Sequence, residues 1–169
     1  LNMLNTRYII YNPSQPPLKN PFAYGNAWFV DNVELVDNAD AEIEALNTIN
    51  PLETAVIDKR FEKDVEGLVP QRDSTATIVL ENYRPNRLTY KSNAATDQLA
   101  VFSEIYYQPG WKATIDGKEV PHFRADWILR ALRVPAGEHT IVFEFLPEGY
   151  VTAAYISSYS SFIILLLLI

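Results

Sequence analysis

The 169 residues predict a mainly β domain, with an antiparallel β-sandwich of jelly-roll-like or carbohydrate-binding-module-like form, a small N-terminal α/β portion and the start of a transmembrane helix at the C-terminal end. Three observations predict it. Between residues 75 and 146 apolar and polar side chains alternate in short runs separated by turn residues. One stretch, Ala39 to Thr48, has helical spacing instead. From Gly149 onward no charged residue occurs.

Leu1 to Ile10 reads as a short helix or a helix-to-strand passage, and Asn12-Pro13-Ser14-Gln15-Pro16-Pro17 is a proline-marked loop. Ala27-Trp28-Phe29-Val30 and Val33-Glu34-Leu35-Val36 are β-prone. Asp37 or Asn38 can then cap a helix over Ala39 to Thr48, whose Ala39, Ile43 and Leu46 share one face, with Pro51 beyond its end. After Ala55-Val56-Ile57-Asp58 a charged connector runs from Lys59 to Ser74. The expected portions are therefore 1–58, mixed α/β and packed on the sandwich; 59–148, the sandwich; and 149–169, the membrane segment.

Within the β-rich portion, Thr75 to Asn82 and Arg87 to Asn93 form a hairpin turned by Arg84-Pro85-Asn86. Leu99 to Tyr107 is apolar on both faces and belongs at the centre of a sheet. Asp116-Gly117 supplies the positive-φ pair of a type I′ turn, which pairs Ala113 with Val120 and Trp111 with His122. Trp127 to Val134 and His139 to Leu146, joined by Pro135-Ala136-Gly137-Glu138, read as a further hairpin. Strands of this kind bury their apolar faces by packing sheet on sheet.

The tail closes with Phe162-Ile163-Ile164-Leu165-Leu166-Leu167-Leu168-Ile169, with no polar alternation to give a solvent face. Its first half mixes Ser, Thr and Tyr, as at a membrane interface, so a span is expected to begin between Ala153 and Phe162. The chain starts at Leu1 without a signal sequence and reads as part of a larger membrane protein.

Composition narrows the chemistry. A formal net charge of -7 without a Lys/Arg cluster argues against nucleic acid as a partner, and a chain without Cys has no thiolate nucleophile or thiolate metal ligand. His122 and His139 lack metal-site spacing, so no metal is expected. The six glycines are dispersed, so no nucleotide cofactor is expected, and there is no Gly-x-Ser-x-Gly elbow. Glu104 is the best single carboxylate candidate for acid–base work, its plainer role being an ion pair with Arg124 or Arg130. No catalytic residue is assigned. Tyr106, Tyr107, Trp111 and Trp127, with Arg124 and Asp126, could instead form a glycan-stacking platform; the plainer reading, favoured by Ala113 and Ile115 on the same face as Trp111, is that these rings fill the core.

The run Val101-Phe102-Ser103-Glu104-Ile105-Tyr106-Tyr107-Gln108-Pro109-Gly110-Trp111-Lys112-Ala113-Thr114-Ile115-Asp116-Gly117, followed by Arg130-Ala131-Leu132-Arg133-Val134-Pro135-Ala136-Gly137-Glu138-His139-Thr140, closely resembles the C-terminal part of YfhO-type bacterial membrane proteins. Leu4 to Tyr8, Gly25 to Val30 and the tail after Pro147 resemble it as well. The resemblance implies a multi-pass protein related to the GT-C glycosyltransferases, which use polyprenyl-phosphate-linked sugars. It also implies a soluble extracytoplasmic region before the last membrane helix. Catalytic acids of such enzymes lie in an early loop outside this segment, so none transfers to these residues.

The expectation is thus a non-catalytic extracytoplasmic domain at the cell membrane, attached through its C-terminal helix, which positions an acceptor or glycan or stabilises the enzyme. A glycan-binding module without transferase activity, or a scaffold domain, are the alternatives.

Overall fold

A computed structural model of the chain describes residues 1–147 and 149–167. In chain order the elements are β1 (Tyr8–Ile9), β2 (Leu18–Lys19), β3 (Ala27–Val30), β4 (Asn32–Val36), α1 (Ala39–Ala45), β5 (Thr54–Asp58), a 3-10 turn (Lys59–Phe61) and α2 (Glu62–Val65). There follow β6 (Thr77–Arg84), β7 (Arg87–Ala94), β8 (Gln98–Ile105), β9 (Trp111–Ile115), β10 (Lys118–Val120), β11 (Phe123–Ala125), β12 (Leu129–Val134), β13 (Gly137–Phe145) and α3 (Tyr150–Leu167). The chain is mainly β, with antiparallel sheets and few helices.

Two antiparallel sheets dominate: β10-β9-β13-β7-β6 and β11-β12-β8-β3. Their facing side chains share one core, in which Leu88, Tyr90, Ile115, Ile141 and Phe143 of the larger sheet meet Ala100, Phe102, Leu132 and Val134 of the smaller. The smaller sheet is buried on its other face too. There Leu99, Val101, Leu129 and Ala131 pack with Trp28, Ala55, Ile57 and Val65. This double burial explains why β8 is apolar on both faces, and it lies between β12 and β3 as its sequence requires.

The hairpin β6–β7 forms, and Asp116-Gly117 turns β9 into β10 with Val120 opposite Ala113. Two expected pairings do not occur. β10 stops at Val120, so Trp111 pairs with Phe145 instead of His122. Nor do β12 and β13 form a hairpin: β12 pairs with β8 and β11, β13 with β7 and β9, so residues 135–136 carry the chain from one sheet to the other. A turn signal marks a reversal of direction; the partner is set by the face each strand must bury.

β4, α1 and β5 form a parallel β-α-β unit. Asn38 Oδ1 caps α1, accepting from Asp40 N and Ala41 N at 3.0 Å. The helix is shorter than its spacing predicts and is rotated from the expected face: Glu42 is fully buried and Ile43 is 39% exposed, while Ala39 and Leu46 are half-buried. Leu1 to Ile10 forms turns and then β1, without a helix. α3 occupies the uncharged tail, exposed at each residue from Thr152 to Leu165. Among the described residues no helix is long and apolar enough to cross a membrane. Leu168 and Ile169 lie outside the described residues.

Candidate functional site

β8 runs toward the end of the molecule at which β12 begins, and β13 finishes there as well. The loops of that end are tied together by backbone bonds: Tyr106 N to Ile128 O (2.8 Å), Phe145 N to Asn86 O (2.8 Å) and Leu146 N to Gly110 O (2.6 Å). All six candidate ligand-binding residues lie toward this end, but five of them fall into two groups and Tyr107 belongs to neither.

The first group is ionic. Arg124 Nη2 lies 2.6 Å from Glu42 Oε2 and 3.5 Å from Asp58 Oδ2, and Arg60 binds Asp58 Oδ2 through Nη2 (2.6 Å) and Nε (2.9 Å). Arg124 therefore answers Glu42, where pairing with Glu104 had been one expectation. Asp58 is held below the usual carboxylate range, chiefly by the Arg60 hydrogen bond, whereas burial raises Glu42 against the opposing pull of Trp127 N–H and Arg124.

Asp126 is buried beside these groups. Its Oδ1 accepts from Val56 N (2.9 Å) and its own N–H donates to Val56 O (2.8 Å), sewing the β11–β12 loop to β5. Burial pushes its pKa up to about 7. Asp126 and Trp127 carry φ of 51° and 71°, a backbone region that bulky side chains seldom occupy. Trp127 N–H donates to Glu42 Oε1 at 2.9 Å, and its ring remains 39% exposed.

The second group is aromatic. Arg130, only 1% exposed, sits between two rings, with its guanidinium carbon 4.3 Å from the Trp111 centroid and 4.7 Å from that of Phe143. Nη2 donates to Ile105 O at 3.2 Å; Nε and Nη1 have no partner among the described residues. The β8–β12 register breaks here, with Leu129 opposite Ile105 and Arg130 opposite Phe102, so Ser103 and Glu104 fall outside the ladder. Burial raises Glu104, opposed by the positive charge of Arg130.

His122 packs against Tyr106 (centroids 5.6 Å apart) and Phe143 (5.8 Å), and burial pushes it down to about 4. Tyr106 also meets Phe61 at 5.8 Å. Trp111 and His122 border a shallow open groove of about 450 Å3 with Gln108, Lys112, Glu119 and Pro121. Tyr107 stands free of both groups and is exposed.

Sequence reading found the rings but missed two organising residues. Glu42 lies off the Ala39–Ile43–Leu46 face that helical spacing picks out, and Arg130 enters the sequence reading only as a partner for Glu104. The available signal was alternation in Leu129 to Val134, which places Arg130, unlike Arg133, on the same face as Leu132 and Val134.

Of the charged groups at this end, Glu42, Asp58, Arg60 and Arg124 are tied to one another and Arg130 is enclosed by rings. Among the described residues no three His, Asp or Glu side chains are grouped to hold a metal ion.

The family described as bacterial membrane protein YfhO matches residues 63–157, more than half of the chain. No curated protein and no solved structure matches it.

Proposed function

The chain belongs to the YfhO family of bacterial membrane proteins, and from that premise we propose that it is a non-catalytic extracytoplasmic β-sandwich domain of a membrane glycosyltransferase-like protein. It positions an acceptor or glycan near the bilayer, or stabilises the enzyme, and α3 leads it into the membrane. The observation that carries this reading is the internal use of the charged residues: Glu42, Asp58, Arg60 and Arg124 neutralise one another, and Arg130 is enclosed by Trp111 and Phe143. Groups fixed in this way hold a fold in register and are poorly placed to reach a substrate.

The test is sugar transfer from a polyprenyl-phosphate donor by residues 1–169 alone. The expected result is no turnover above the protein-free rate; measured turnover would overturn the reading. A second reading, a glycan-binding module, is favoured by the exposure of Tyr107 and Trp127 at one end. Calorimetric titration with glycans separates the two roles. Saturable binding lost in Trp127→Ala and Trp111→Ala, with folding intact, supports recognition, and absence of binding supports a stabilising role.

A further inference from the structure

The two ends of the paired sheets differ in kind. At one, the loops 95–97, 116–117 and 135–136 are held by the Arg133–Asp97 and His139–Asp116 pairs, and the exposed large hydrophobics near it are two valines, Val69 in the segment bound by Arg133 and Gln98 and Val79 beside His139, with no exposed aromatic ring found there among the described residues. At the other, Ile105, Tyr107, Trp127 and Leu146 are all exposed, and α3 departs from the same place. The segments flanking the β1–β2 hairpin are tied to this end as well, since Ser103 Oγ lies 2.9 Å from Met3 O and 2.6 Å from Gly25 O; Ile10 of the hairpin and Phe22 beyond it are exposed. Exposed apolar surface concentrated on one end of a domain marks a surface that meets something apolar.

We infer that this end lies flat on the lipid bilayer, with Ile105, Tyr107, Trp127 and Leu146 seated at the headgroup level around the root of α3. The inference rests on the reading that α3 takes the chain to the membrane, and it adds a second, independent contact made by the folded domain.

Three observations favour lipid over a protein partner. The contact residues lie at the end of the sheets from which an uncharged, exposed helix departs, so what solvates the root of α3 is close to them. The exposed set mixes Trp and Tyr with aliphatic residues, the composition suited to a boundary that is apolar on one side and wet on the other. The cations Arg7 and Lys19 on the hairpin and Arg84 at the β6–β7 turn are exposed in a chain of net charge -7, and they complement anionic headgroups. The backbone at Trp127 adds to this: a φ of 71°, held by the bond to Glu42, displays a large ring where the core gains little from it.

Tryptophan emission provides the test, because Trp28 is buried, Trp111 is half-buried with one face against Arg130, Trp127 is the more exposed ring and α3 contains no Trp. The 169-residue chain is incorporated into vesicles of phosphatidylethanolamine and phosphatidylglycerol, with or without brominated acyl chains, and compared with Trp127→Phe. Circular dichroism confirms that the variant folds. The expected result is bromolipid quenching of the wild-type chain that is lost in Trp127→Phe. If the chain floats with vesicles but is not quenched, or is quenched equally in the variant, α3 anchors it while this end stands clear of the lipid, and the inference fails alone. If the chain does not associate with vesicles, the membrane role of α3 fails with it.

Discussion

Glu42 Oε1 accepts the backbone N–H of Trp127 at 2.9 Å while its Oε2 faces Arg124 at 2.6 Å, so one buried carboxylate fixes both a strained turn and a cation. Its helix turns an acidic residue inward because β11 and the loop after it offer two donors there, Arg124 Nη2 and Trp127 N–H. Removing one partner of such a pair leaves the other charge uncompensated. Glu42→Ala is expected to destabilise the fold by about 3 kcal/mol, and Glu42→Gln, which keeps an acceptor for Trp127, by less. Urea unfolding of the two variants measures the difference; equal losses would show that the turn bond contributes nothing.

Trp127→Gly is expected to remain within about 1 kcal/mol of the parent, since glycine relieves the positive φ while adding freedom to the unfolded chain. A loss of several kcal/mol in thermal unfolding would mean that the ring supports the fold.

Asp126 gives a pH dependence of definite sign. Its folded pKa, about 7, lies above the ordinary value of 3.8, so the native state holds a proton that the unfolded chain has released between those limits. Stability from this group therefore falls as pH rises from about 4 to 7 and is level above. His122 acts oppositely: with a folded value near 4 against 6.5, its contribution is lost as pH falls through that window. The stability of Asp126→Asn relative to the parent should accordingly increase from pH 4 to pH 7 and then stay constant, as read by denaturant titration at each pH. A flat difference would show that Asp126 titrates normally.

Arg130 is a planar cation between two rings, and lysine cannot reproduce that stacking. Arg130→Lys is expected to cost about 2 kcal/mol, whereas Arg130→Met, which fills the space without burying unpaired donors, should lie within about 1 kcal/mol of the parent. If chemical denaturation ranks them the other way, the charge itself stabilises this end.

Gly110 has φ of 92°, and a Cβ there would lie 2.9 Å from Phe145 Cε2 and 3.0 Å from Pro147 Cα. Gly110→Ala must therefore move the link to α3, at an expected cost of about 2 kcal/mol or more. Gly117, at φ of 81°, has open space around its Cβ position, so Gly117→Ala should cost only about 1 kcal/mol. A melting-temperature comparison of the two separates crowding from backbone strain.

What could be read in the chain follows the range of each interaction. The Asp116-Gly117 turn, the β6–β7 hairpin and the central place of β8 rest on neighbouring residues and on alternation, and all three are present. The partner of β13 rests on which sheet its Ile141 and Phe143 help to close, and Pro135-Ala136-Gly137 carries no mark of that. The candidate rings were visible as residue types, but whether Trp111 stacks on a ligand or on Arg130 depends on a residue 19 positions away.

The sequence by itself determined that this chain is mainly β, that its turns lie where Asp-Gly and Pro-Asn place them, that it ends in an uncharged apolar segment, and that it resembles the family to which it belongs. Only the tertiary structure decided that Glu42 faces inward, that Arg130 is enclosed by rings and that Ile105, Tyr107, Trp127 and Leu146 are exposed at the end from which α3 departs. The physical reason is that propensity and periodicity act over a few residues, whereas the environment of a charge or an exposed ring is set by segments brought together from distant parts of the chain.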